Sequence, residues 1–361
     1  MTSDFGNTLK ISIFGASHAE EIGVDISGLP KGTKFDEEKL YAFMDRRRPG
    51  KNSLSTPRNE KDIPIFTKGA ENGTLTGEPV RAVIKNTNVR SKDYANLKTV
   101  PRPGHADFTA YEKYGKDIDM RGGGHFSARL TAPLCIAGGI CLQMLEEKNI
   151  RISAHVEAIQ NIHDERYPLF PDKSLMDEIA KKEIPVINDT VAKDMAAVIE
   201  NARKNQDSVG GVVECVITGL PSGLGGAMFD GLESKISSAI FGIPAVKGIE
   251  FGAGFESTKM TGAQNNDAFC VQDGIVRTET NNCGGILGGI SDGMPLVFRV
   301  AFKPTPSISR PQRSVDLDTM EPTELVIEGR HDPCVVIRAV PVVEATAALT
   351  IVDLLLSEGK L

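Results

Sequence analysis

Apolar positions along this chain change their period several times, and each change marks an element. Leu296, Phe298, Val300 and Phe302 alternate with smaller or polar residues and share one face, which predicts a half-buried strand over Leu296–Phe302. Gly211–Thr218 alternates in the same way, and residues 9–14 form an opening strand. Residues 132–147 are apolar almost all round, the pattern of a buried helix. Residues 173–182 and 189–205 carry 3.6-residue spacing with charged outer faces, and residues 342–357 place Val343, Ala347, Thr350 and Leu354 along one stripe. Asp36 caps a further predicted helix over residues 36–45.

Two passages repeat. Val24-Asp25-Ile26-Ser27-Gly28-Leu29-Pro30 leads to Phe35-Asp36, and Cys215-Val216-Ile217-Thr218-Gly219-Leu220-Pro221 leads to Phe229-Asp230. Each reads as a strand, a Gly-Leu-Pro turn and a helix start. Gly73-x-x-x-Gly77-x-Pro79 then precedes a β-branched run, as Gly289-x-x-x-Gly293-x-Pro295 does. The order predicts one domain over residues 1–361 with a pseudo-repeat, about 10–115 echoed by 207–310. Helices before and between strands, without regular βαβ alternation, predict an α+β fold.

Charge narrows the partners. The net charge of −7 argues against chain-wide attraction to nucleic acid or to an anionic membrane. The absence of Trp removes the best stacking side chain from any single-strand groove. The cysteines at 135, 141, 215, 270, 283 and 334 form no C-x-x-C pair and read as reduced thiols of a cytoplasmic protein, with no metal site. The opening residues lack the pattern of a secretion signal. The longest apolar stretch, 131–145, is interrupted by Gly138-Gly139 and is short for a bilayer span.

Chemistry concentrates in five islands. Gly15-Ala16-Ser17-His18 follows the opening strand, and Arg46-Arg47-Arg48-Pro49-Gly50, with Arg58 beyond, ends a helix. Those arginines either complement the helix dipole or clamp an anion. The richest stretch runs from Arg102-Pro103-Gly104-His105-Ala106-Asp107 to Arg121-Gly122-Gly123-Gly124-His125-Phe126-Ser127-Ala128-Arg129. Asp107 is placed to orient His105 and keep it protonated, a natural acid for a departing phosphate. Three consecutive glycines bury no side chain, so they let backbone approach something flat or anionic. The fourth island is the glycine-rich 281–293 segment with Lys303-Pro304-Thr305-Pro306-Ser307 after it; the fifth is Gly329-Arg330-His331-Asp332-Pro333-Cys334 with Arg338 beyond. Histidines, arginines and glycine cradles without nucleophiles suit a polyanionic substrate beside a phosphate-bearing organic cofactor. Two rival readings are a non-catalytic anion or nucleic-acid binder using Arg46–Arg48 and Arg121, and a flavin oxidoreductase with net electron transfer.

In this order, with Lys247-Gly248-Ile249-Glu250-Phe251-Gly252 and Gly284-Gly285-Ile286-Leu287-Gly288-Gly289-Ile290-Ser291, these stretches resemble the chorismate synthase family over nearly the whole chain. The resemblance implies a lyase of aromatic amino-acid biosynthesis that converts 5-enolpyruvylshikimate 3-phosphate to chorismate by 1,4-elimination of phosphate. It implies a requirement for reduced FMN without net redox change, with NADPH only an indirect source of reducing equivalents. No flavin reductase domain is visible, so an external flavin reductant is expected. By position, His18 would protonate the flavin, His105 the departing phosphate, and Asp332 would assist proton removal near flavin N5. Ser17, Arg48, Arg129 and Arg338 would hold substrate. FMN contacts would come from His125, Phe126, Ser127, Pro244, Ala245, Gly288, Lys303, Pro304, Thr305, Pro306, Ser307 and Arg330. The resemblance also implies a homotetramer of internally duplicated β-α-β sandwiches, with antiparallel sheets packed between helices. The chain departs from the family pattern at Ala16, Ala19, His125-Phe126 and Leu54.

Overall fold

The computed structural model describes residues 1–50, 54–55, 60–87, 99–327 and 332–361. The fold is α+β, built on two five-stranded sheets. The first has the order Thr2–Phe5, Lys10–Gly15, Glu21–Ser27, Val80–Lys85, Ile65–Lys68, with every neighbour antiparallel. The second, also antiparallel throughout, runs Val246–Phe251, Leu296–Phe302, Gly211–Thr218, Arg151–Ile159, Ile162–His163. Helix Thr131–Glu147 packs on the first sheet, helix Val336–Ser357 on the second, and the two helices pack on each other.

The apolar faces read from the sequence meet in this layer. Ile22, Val24 and Ile26 from one sheet and Phe298, Val300 and Phe302 from the other share a single core with Ile136, Ile140 and Leu349. Gly138-Gly139, which interrupts the apolar stretch, has a packing role. A Cβ on Gly138 would stand 2.3 Å from that of Ala345, and one on Gly139 2.5 Å from Leu40 Cδ1. Gly138 therefore lets the two central helices touch backbone to backbone. Two stretches, Ala128–Glu147 and Val336–Ser357, are long and apolar enough to cross a membrane, but 78% and 94% of their apolar windows lie buried inside the fold. The first is longer than the 131–145 stretch because the turn before it continues the helix.

Helix Glu37–Arg47 starts at Asp36, whose carboxylate accepts from the Glu38 and Lys39 amides, and runs two residues beyond the predicted end. Those two residues are Arg46 and Arg47, which therefore project from a rigid element.

A polar row crosses the second sheet away from its apolar face. His155 is fully buried, with Nδ1 3.0 Å from Asp164 and Nε2 3.0 Å from Glu214. Burial works against its charge, but the two carboxylates outweigh burial and raise its pKa above the ordinary value. A histidine with a raised folded-state pKa stabilises fully below the unfolded value, about 6.5, and loses that contribution as pH rises through the folded value. Thermal unfolding of the wild type should therefore show a decline in stability above neutral pH that His155→Gln lacks. Parallel pH profiles for the two proteins would remove His155 from that role.

Candidate active site

One cleft of about 600 Å³ collects most of the chemistry-bearing islands. Its lining includes Ser17, His105, His125, Phe126, Ser127, Arg129, Pro244, Ala245, Lys303, Thr305, Pro306, Ser307, Asp332 and Arg338, all singled out from the sequence.

The triple glycine explains how His105 reaches the cleft and His18 is held behind its wall. Gly122, Gly123 and Gly124 all have positive φ, at 59°, 91° and 54°. A Cβ on Gly122 would stand 2.3 Å from His18 Cε1, and one on Gly123 3.2 Å from His105 Nε2. Consecutive glycines thus carry backbone directly against both rings, and Ser17 N–H donates to the Gly124 carbonyl (3.0 Å). Gly122→Ala should cost about 1–2 kcal/mol from the left-handed backbone alone and displace the His18 ring. Urea denaturation and activity, measured together, check this; unchanged values for both would contradict the packing.

His105 is held from behind. Its Nδ1 lies 2.9 Å from Asp107, and Arg102 grips the same carboxylate through Nε (2.6 Å) and Nη2 (2.7 Å). Burial works against the Asp107 charge, but hydrogen bonds from Arg102 and His105 outweigh it and hold its carboxyl well below the usual range. Arg102 Nη2 also stands 3.1 Å from Nδ1, so Asp107 and Arg102 together occupy that nitrogen and Nε2 is the one left for chemistry. Arg102 also donates to Ser307 Oγ (3.1 Å), tying this loop to the 303–307 segment.

A second charged centre lies beneath the cleft. Asp62 accepts from Arg47 (2.8 Å) on one oxygen and Arg129 (2.5 Å) on the other, and Glu60 stands 3.3 Å from Arg129. All four groups are nearly fully buried. Burial tends to raise the Asp62 pKa, but the two guanidinium groups overcome it and lower it. Asp332 pairs with Arg338, whose Nε also donates to the Arg47 carbonyl (3.0 Å).

His125 is fixed by Nδ1 on the Gly15 carbonyl (2.8 Å) and Nε2 on Ser3 Oγ (2.9 Å). Phe126 stacks obliquely on Tyr114, with ring centroids 6.3 Å apart. Ala245 has φ of 74°, unusual for a residue with a Cβ, and its carbonyl accepts from Lys303 N–H (3.0 Å).

Several singled-out residues stand elsewhere. His18 lies behind Gly122 and is not among the lining residues. Arg48 faces a neighbouring cavity of about 400 Å³, which it shares with Leu54, Lys181, Lys182 and Arg338. Leu54 itself packs into the hydrophobic core. Gly288 is exposed on the turn between Ile286–Leu287 and Ile290–Ser291, and Pro304 is exposed beside the cleft. Arg58 and Arg330 lie outside the described residues. Arg46 is a packing residue: it makes a two-pronged pair with Glu344 of the C-terminal helix (2.6 and 2.9 Å). Arg121 turns outward to a two-pronged pair with Asp119 (2.6 and 2.8 Å). These placements take two arginines from the anion-binder reading.

From the sequence, Arg102, Lys247, Glu60 and Asp62 had no assigned roles in the site, and Arg47 figured only among three arginines that complement a dipole or clamp an anion. Arg102 and Lys247 each open a stretch already noted, which was the available signal. Nothing near Asp62 marks it, because its place depends on a backbone φ of 52° and on arginines from two other segments.

Residues 9–356 match the family described as chorismate synthase. The chain is 48% identical to the chorismate synthase of Lancefieldella parvula, covering 99% of this chain and 97% of that one. It is 45% identical to the chorismate synthase of Dehalococcoides mccartyi, with 99% and 98% covered. A crystal structure of chorismate synthase superimposes with a TM-score of 0.77 at 26% identity, covering 98% of this chain and 93% of that one. A cleft in which glycines seat two imidazoles among arginines, joined to a match that runs almost end to end, places this chain in the chorismate synthase family.

Proposed function

We propose that this cleft is where the chain carries out its family's reaction, 1,4-elimination of phosphate from 5-enolpyruvylshikimate 3-phosphate to give chorismate. That activity is a carbon–oxygen lyase reaction on the route to the aromatic amino acids. The observation that carries the assignment is the seating of His18 and His105 against Gly122 and Gly123 beside a cleft lined by arginines.

The cleft suits reduced FMN. Its volume is within the range of small-molecule sites, roughly 300–1,000 Å³. Phe126, Pro244 and Pro306 offer flat apolar surface for a ring system, and lysines stand on the same wall. Reduced FMN, when bound, supplies the electron density that expels phosphate without net redox change. Its holders would be His125, Phe126, Ser127, Pro244, Ala245, Lys303, Thr305, Pro306 and Ser307, with Gly288, Pro304 and Arg330 as further candidates.

The chain's own residues handle anions and protons. Arg129 and Arg338, with Ser17, orient the substrate, and Arg48 reaches it from the neighbouring cavity. His105 donates from Nε2 to the departing phosphate oxygen while Asp107 stabilises the imidazolium. Asp332, steadied by Arg338, assists proton removal from the ring. His18 holds a proton on the far side of Gly122 for the cofactor. Burial of the arginines strengthens their pull on the substrate charges, because little water screens them.

We also propose one domain with a pseudo-repeat that spans about 10–115 and 207–310. Matched turns support it: Gly32 N donates to Leu75 O and Leu75 N to Thr33 O, as Gly223 N does to Ser291 O and Ser291 N to Leu224 O. A cytoplasmic homotetramer fed by an external flavin reductant, with NADPH as its indirect source, completes the reading. Phe269, Val271, Ile275 and Val276 on one hairpin are more than half exposed, which favours assembly. The reaction is tested by anaerobic incubation of the protein with chemically reduced FMN and 5-enolpyruvylshikimate 3-phosphate. Chorismate should appear; none, with a control enzyme active, refutes the assignment.

A further inference from the structure

Asn86 stands one residue past strand Val80–Lys85 and outside the cleft lining, yet its side chain reaches two parts of the site. Its backbone N–H donates to the Glu20 carbonyl (2.9 Å), which continues the ladder with strand Glu21–Ser27 and fixes where the side chain starts. Nδ2 donates to the carbonyls of Ala19 (2.8 Å) and Ala16 (3.3 Å), the two ends of the turn that holds Ser17 and His18. Oδ1 accepts from Arg129 Nε (3.1 Å). The next residue serves the same guanidinium: Thr87 N–H donates to Glu60 (3.1 Å), whose carboxylate stands 3.3 Å from Arg129 Nε.

A primary amide is matched to this place. Carbonyl oxygens only accept and a guanidinium only donates, so the side chain between them must donate on one side and accept on the other. Aspartate would set a carboxylate against two carbonyls, and leucine would make none of the three bonds. The groups gripped at Ala16 and Ala19 are backbone carbonyls, so the departures from the family pattern at these two positions leave the grip in place. Ser17 and Arg129 both line the cleft, and His18 stands behind Gly122. One side chain therefore sets the turn against the guanidinium that orients substrate.

We infer that Asn86 is a positioning residue for the elimination, holding the Ser17–His18 turn in register with Arg129. The inference rests on the proposed reaction. Steady-state kinetics and calorimetric titration with 5-enolpyruvylshikimate 3-phosphate read the two halves of this link apart. Asn86→Asp keeps an acceptor for Arg129 and loses the donors to the turn. It should bind substrate nearly as well as wild type and turn over about 10–100-fold more slowly, the cost of displacing a reacting group by about 1 Å. Asn86→Leu should show the same fall in kcat and also bind substrate about tenfold more weakly, the scale of one hydrogen bond to a charged group. Asn86→Gln, which keeps the amide on a longer stem, should recover part of the kcat that the leucine variant loses. Unchanged kcat in the aspartate and leucine variants, or equal losses of kcat and affinity in all three, overturns the role. Failure of the aspartate and leucine variants to fold overturns it too, because Asn86 is then a structural residue. A wild-type chain that binds substrate yet forms no chorismate with reduced FMN refutes the reaction, and the role with it.

Discussion

Replacing His105 with alanine should lower turnover by about 10²–10⁴-fold, the usual worth of a positioned general acid, while FMN affinity stays near that of the wild type. The reason is the polarity of its hydrogen bonds. Asp107 and Arg102 both stand at Nδ1, Arg102 locks Asp107, and Nε2 is left at the cleft lining against Gly123. Removing the ring takes away a proton donor and leaves the Arg102–Asp107 pair intact, so the loop should keep its shape. His105→Gln restores a hydrogen-bond donor without a titrating proton and should stay as slow as the alanine variant. The pH–rate profile of both variants should lose the limb that reports the acid. Collapse of FMN binding, or a profile unchanged from wild type, would make His105 a structural residue.

Asp62→Ala should destabilise the fold by about 3–5 kcal/mol, because breaking a buried ion pair strands its partner. Here one carboxylate serves two guanidinium groups, Arg47 and Arg129, with Glu60 also beside Arg129. Urea denaturation gives the number. The linkage has a sign: a carboxyl with lowered folded-state pKa stabilises above its unfolded value, about 3.9, and that contribution fades as pH falls through the folded value. Wild type and Asp62→Ala should therefore converge in stability toward strong acid. Equal stability at neutral pH would show that the pair is incidental. Because Arg129 lines the cleft, weaker substrate binding should accompany the loss of stability.

Strands Gly211–Thr218 and Leu296–Phe302 and helix Thr131–Glu147 were legible as elements from a local period of 2 or an almost all-round apolar run. The strands are not half-buried as expected: residues 213–217 are buried at every position, on both faces. The edge strand Thr2–Phe5 was not legible; three of its four residues are exposed, so no apolar alternation marks it. The islands named the site, but direction escaped them. Arg46, Arg47 and Arg48 are consecutive, and successive residues on a helix point about 100° apart. One goes to Glu344, one inward to Asp62, and the third, past the helix end, to the neighbouring cavity. Arg121 and Arg129 look equivalent around the glycines, yet Asp119 draws one outward and Asp62 the other in. Asp119 is a near neighbour of Arg121, but Glu344 and Asp62 lie far from their arginines in sequence, where spacing carries no record of them. The glycines were read as room for a ligand; the closest neighbours of Gly122 and Gly123 are two side chains of the chain itself, and that of Gly124 is the Asp119 carbonyl.

The account stands on elimination by fixed imidazoles and guanidinium groups, with the flavin returned unchanged each cycle. Stoichiometry tests this directly. Under strict anaerobiosis, a limiting amount of reduced FMN with excess substrate should yield many equivalents of chorismate and phosphate per flavin, with the flavin still reduced at the end. Product that stops at one equivalent per flavin, with the flavin oxidised, would contradict it.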